Sequence, residues 1–149
     1  MLNIKPIKLY RKQKYSSCSL IAAINAKIYL GGDDVDDSVF ESLVDLTKCR
    51  YGGAIFVEKS YPILGVSFKD GPLETLELEW VRENLPVQIG HCDPKFGFHS
   101  ALVVATKGKY VTLVNSSYTN TLWENIEFYP HTYNRILRSF KLLGVLNDW

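Results

Sequence analysis

The stretch Gln13-Lys14-Tyr15-Ser16-Ser17-Cys18-Ser19-Leu20-Ile21-Ala22-Ala23-Ile24-Asn25-Ala26 constrains this chain most. A short polar run meets a cysteine, and the cysteine opens an apolar segment in which Leu20, Ala23, Ile24 and Ile28 recur at helical spacing. Ser16 or Ser17 suits the N-cap, and Gly31-Gly32 is a stop signal, so the pattern predicts a buried helix from about Cys18 to Leu30. Cys18 then falls in the first turn. Backbone N–H groups point at that position and the helix dipole favours negative charge there, so both favour a thiolate, the reactive form of cysteine. The alternative is a small buried hydrophobe on a core helix, since free cysteine is among the most buried residues.

At 149 residues the chain fits one domain, 1–149, with a core of its own. Hydrophobic residues make up 46% and charged residues 22%, the balance of a globular protein in water. The net charge of +1 asks for neither nucleic acid nor an anionic membrane surface as partner. No apolar run reaches the length of a membrane span, and Met1 to Lys14 lacks the apolar core of a signal peptide. Cys18, Cys49 and Cys92 are an odd count, which argues for free thiols in a reducing, cytoplasmic setting. Nothing in the sequence fixes an oligomeric state.

Leu2 to Tyr10 reads as a short strand or arm, limited to an edge by Pro6. Asp33-Asp34-Val35-Asp36-Asp37 starts a second helix, about Val35 to Thr47, with Val39, Phe40, Leu43 and Val44 on its apolar face. The aspartates lack the spacing of a calcium loop. A third helix is expected over Ala54 to Leu64, a short strand at Val66 to Phe68 and a further helix from Leu73 to Asn84. From Pro86 the pattern turns to strands: Pro86 to Gly90, Ser100 to Ala105, Tyr110 to Asn115 and Leu122 to Phe128. His91 to Gly97 reads as a loop and Thr106 to Lys109 as a hairpin turn. The tail, His131 to Val145, is ambiguous between helix and strand. Helices first and antiparallel strands second make an α+β domain of two lobes.

A cysteine at a helix start becomes a nucleophile only with a base and a group to orient the base. His99 stands at the edge of an apolar strand and Asn115 ends the next one. A hairpin between those strands brings the two together. An asparagine carboxamide can accept from one imidazole nitrogen and leave the other for the thiol. Gln13, five residues before Cys18, can offer an amide N–H that forms an oxyanion hole with the Cys18 backbone N–H. His91 is a rival base, also following a strand, but without a partner like Asn115. Zinc on Cys49, His91, Cys92 and His99 is disfavoured, because no C-x-x-C pair exists. No metal and no organic cofactor is called for.

Gln13 to Ala26, Gly97 to Ala105 and Val114 to Trp123 together resemble the three signature blocks of papain-like cysteine peptidases, in the order Gln, Cys, His, Asn. The pattern is most similar to the compact branch that includes the double-glycine leader peptidase domains of bacteriocin exporters. That resemblance, over about Leu9 to Phe128, implies an N-terminal helical lobe carrying the cysteine and a small C-terminal antiparallel sheet carrying the histidine. It implies Cys18 as nucleophile, His99 as base and acid, Asn115 as orienter and Gln13 as oxyanion donor, acting on a peptide or protein substrate. Ser19 after Cys18, Asn115 in place of the exporters' aspartate, and Ser116-Ser117-Tyr118 depart from the branch. Two further readings share the scaffold. One is a deamidase or acyltransferase working through the same thioester. The other is a catalytically inactive binding or virion-associated structural protein.

Overall fold

The structure, a computed structural model, describes residues 10–71, 78–93, 97–115, 121–127 and 137–144, with the backbone alone at 91–93, 97, 98, 115, 121–126 and 137. Helix α1 (Cys18–Tyr29) buries Leu20 to Ala26 and Ile28 almost without interruption, which is why its sequence reads apolar all round. It is covered on two sides, by α2 (Asp37–Thr47) and by the sheet. Leu30 caps it and Gly31, at φ +100°, turns the chain away as the glycine pair predicts.

The segment after Gly53 departs from expectation. Instead of a helix over Ala54 to Leu64 there is a 3-10 turn, Val57–Ser60, and one α-helical turn, α3 (Tyr61–Leu64), stopped by Gly65. Pro62 at the start of α3 suits a first turn but would remove a bond from a longer helix; Tyr61 and Leu64 enter the core while Ile55, Phe56 and Ile63 stay exposed. The strand at Val66 extends to Asp70 (β1). Of the helix expected at Leu73 to Asn84, α4 (Leu78–Glu83) is present, and residues 73–77 lie outside the described residues. So does the arm expected from Leu2 to Tyr10, apart from Tyr10 itself.

Strands β2 (Val87–Asp93), β3 (Gly97–Lys107), β4 (Tyr110–Asn115), β5 (Thr121–Glu127) and β6 (Leu137–Leu142) complete an antiparallel six-stranded sheet in the order β1-β6-β2-β3-β4-β5. Two expectations change here. His91 is in β2 and not in a loop, directly opposite His99. The loop chemistry of Asp93-Pro94 masked a strand end whose backbone groups are paired by β3. The hairpin turn narrows to Gly108-Lys109, with Gly108 at φ +58°, since the strands run on to Lys107 and resume at Tyr110. Of the ambiguous tail, Leu137–Leu142 is β6, which pairs with β1 on one side and β2 on the other, and 131–136 lie outside the described residues.

The alternation of β3 explains the layering. Leu102 and Val104, with Val114 of β4, face α1 and share a core with Leu20, Ile24, Phe40 and Phe140. Ala101 and Val103, with Leu113, face the opposite side beneath Val81 of α4. The sheet is thus buried on both faces, and helix α1 lies across β3 with its N-terminal end beside His99 and Ser100.

Candidate active site

Cys18 is the first residue of α1 and is half-buried. Ser17 holds the N-cap position, yet its hydroxyl donates backward to the Lys14 carbonyl and not to a helix N–H. That bond tightens the turn leading into the helix. The segment before it is anchored twice more. Asn25, buried in α1, accepts from the Arg11 backbone N–H at 2.8 Å and donates to the Arg11 carbonyl at 3.1 Å. The Ser16 N–H donates to the Cys49 carbonyl at 3.0 Å. The expected acidic helix start serves this anchoring: Arg11 donates to Asp34 at 2.9 Å and to the Val35 carbonyl at 2.6 Å, with its guanidinium over Phe40.

The His99 imidazole and the backbone N–H and hydroxyl of Ser100 lie near enough to the Cys18 thiol to act on its ionisation. Burial pushes the thiol's pKa up, but the His99 hydrogen bond, the Ser100 donors and the charge of His99 outweigh it, and the net shift is downward from the ordinary value. His99 is 5% exposed and Ser100 4%, so these donors act in a water-poor setting. Ser19 adds a hydroxyl 3.4 Å from that of Ser100. Cys49 behaves oppositely. It is fully buried, accepts from the Thr47 hydroxyl at 3.4 Å, and its pKa is raised by burial above all.

Gln13 and Asn115 were the other two residues expected here. Gln13 lies in the anchored segment, where its Nε2 donates to the Tyr15 carbonyl at 2.9 Å and its buried Oε1 has no partner among the described residues. Asn115 ends β4, opposite Thr121 of β5. The β3–β4 register, continued one step past Leu102 and Val114, sets the Asn115 backbone beside Ala101, two residues along β3 from His99. Cys18 and His99 are therefore brought together, and Gln13 and Asn115 stand on the segments that flank them. Sequence reasoning missed Ser100. Its only signal was its place after His99 at the head of an apolar strand, where a serine is out of keeping with Ala101 to Ala105.

A surface hollow lined by Ile55, Phe56, Val57, Glu58 and Lys59 includes neither Cys18 nor His99. Among the described residues no group of three or more His, Cys, Asp or Glu side chains could hold a metal ion, and no helix is long and apolar enough to cross a membrane.

No protein-family model matches the chain, and no curated protein sequence matches it. Solved structures do. The peptidase domain of Streptococcus ComA, a bifunctional ABC transporter involved in quorum sensing, superposes with a TM-score of 0.60 at 10% identity, over 89% of this chain and 96% of that one. A double-glycine motif protease from an AMS/PCAT transporter, solved with its leader peptide, gives 0.60 at 18% identity, over 89% and 90%. The fold is that of the papain-like cysteine peptidases. Within the papain-like fold the α+β class and the antiparallel sheet are as expected from the sequence.

Proposed function

We propose that the chain is a papain-like thiol hydrolase that cleaves an amide bond in a peptide or protein. The observation that carries this reading is the nearness of His99 and Ser100 to the Cys18 thiol, which favours a thiolate beside an imidazolium. In the first step the Cys18 Sγ forms a bond to the acyl carbon. The developing oxyanion takes hydrogen bonds from the Cys18 backbone N–H and the Gln13 carboxamide. His99 gives its proton to the amine as the C–N bond breaks, leaving a thioester. Water then loses a proton to His99 and adds to the thioester, and the C–S bond breaks to return the thiolate. Asn115 holds the imidazole in the productive orientation. Nucleophile, acid and base are all side chains, so the chemistry needs no cofactor. A peptide is the favoured substrate class, because the similar double-glycine protease was captured with its leader peptide.

The test is alkylation of Cys18 by iodoacetamide across pH, read by peptide mass spectrometry, beside turnover of a peptide library. Fast labelling persisting well below about pH 8.5 and lost in His99→Ala is expected, as is loss of turnover in Cys18→Ala with its unfolding transition intact. Labelling that follows an ordinary thiol and ignores His99 would overturn the reading and favour an inactive scaffold. A one-dalton mass gain on a glutamine-containing substrate, without chain cleavage, would replace hydrolysis of peptides by deamidation.

A further inference from the structure

Tyr15 lies between Gln13 and Cys18, and its backbone is at φ +64°, in the left-handed region that disfavours side chains. A strained residue persists only where its surroundings hold it. Here the ring is held three ways. Its hydroxyl donates to Glu41 Oε1 at 2.9 Å, the Arg50 guanidinium lies 4.6 Å from the ring centroid, and the Lys14 ammonium lies 5.1 Å from it. Arg50 also donates to Glu41 at 3.1 Å and to Asp45 at 2.8 Å, which ties the clamp to α2. The left-handed turn aims the Tyr15 carbonyl at Gln13, and that carbonyl receives the one hydrogen bond of the Gln13 side chain.

A carbonyl can only accept, so it must meet the nitrogen end of the carboxamide and never the oxygen end. The carboxamide nitrogen carries two hydrogens. With one committed to Tyr15, the other is left at a fixed angle, and the Oε1 end has no partner among the described residues that could hold the group the other way round. We propose that Tyr15 is a positioning residue, clamped by Glu41 and Arg50, that selects the Gln13 carboxamide orientation able to donate to an oxyanion. This rests on the thiol-hydrolase reading above.

Two reactions at Cys18 separate the proposal from that reading. Alkylation by iodoacetamide displaces iodide and develops no oxyanion. Acylation by p-nitrophenyl acetate forms the S–C bond through an oxyanion and releases p-nitrophenolate. Losing one oxyanion donor slows such a step roughly 100- to 1000-fold in other enzymes. We expect Gln13→Ala and Tyr15→Ala each to slow acylation at least tenfold, with the rate and pH profile of alkylation unchanged. The double variant should be no slower than Gln13→Ala alone, because both act through one donor. Tyr15→Gly, which adopts the turn without a clamp, should fall less than Tyr15→Ala. Glu41→Ala, outside the segment that carries Cys18, should slow acylation while keeping alkylation, and so tests the clamp should Tyr15→Ala fail to fold. Wild-type acylation in Tyr15→Ala, or a double variant slowed by the product of the two single effects, would overturn the proposal. Ordinary, His99-independent alkylation in the wild type would instead sink the thiol-hydrolase reading.

Discussion

Ser100 shows how far a thiol's pKa is set by its neighbours. Its hydroxyl and backbone N–H both act on Cys18, and only the hydroxyl can be removed by substitution. Ser100→Ala should therefore move the midpoint of the Cys18 alkylation profile upward, by less than His99→Ala does, since the histidine supplies a charge as well as a hydrogen bond. Equal midpoints in Ser100→Ala and wild type would show that the backbone N–H and imidazole suffice. At this scale residue type and order carried meaning as far as placing Cys18 at the first turn of α1 with His99 acting on its thiol. It was opaque to Ser100 and Tyr15, because a serine's proton partners and a tyrosine's φ depend on which element packs against it, and no local pattern encodes that.

At the scale of elements, the edge formed by β1 and β6 is bolted to α3 by Arg138. The guanidinium donates to Asp70 through Nε and Nη2, at 2.6 and 3.1 Å, and to the Tyr61 hydroxyl at 3.0 Å. It also lies over the Phe68 ring and forms an ion pair with Glu58. Tyr61 in turn meets Phe68 and Phe140 edge to face. The fork geometry and the stacking suit arginine alone, while the exposure of Asp70 and Glu58 weakens the ion pairs. We expect Arg138→Ala to cost about 2 kcal/mol in urea unfolding, and Arg138→Lys to recover less than half of it. The helices α1 and α2 were legible because their apolar spacing and stops are local. The strand β6 was not, since Leu137-Arg138-Ser139-Phe140 takes its strand character from β1 and β2 on either side, about half the length of the chain away in the case of β1. The 54–64 segment misled for the opposite reason: its composition suits one long helix, while Pro62 and its own packing divide it into a 3-10 turn and a single α-helical turn.

For the whole molecule, β6 is the keystone. It is the only link between β1 and the rest of the sheet among the described strands, and Phe140 sits in the same core as α1. A chain ended after residue 136 should lose β1 with it, expose Tyr61, Leu64 and Val66, and show no cooperative unfolding transition by circular dichroism. A sharp transition in that truncation would mean that α1 and β2 to β5 form a sufficient unit. The same arrangement has a consequence for how the protein is born. At about 5–20 residues per second, β6 leaves the ribosome several seconds after β1, and roughly seventy residues later. Until then the helix bearing Cys18 lacks the covering that Phe140 supplies, and β1 has no strand to pair with among the described strands. The core around that helix is thus begun early and closed late, so the chain must leave the ribosome almost to Leu142 before the sheet can reach β1.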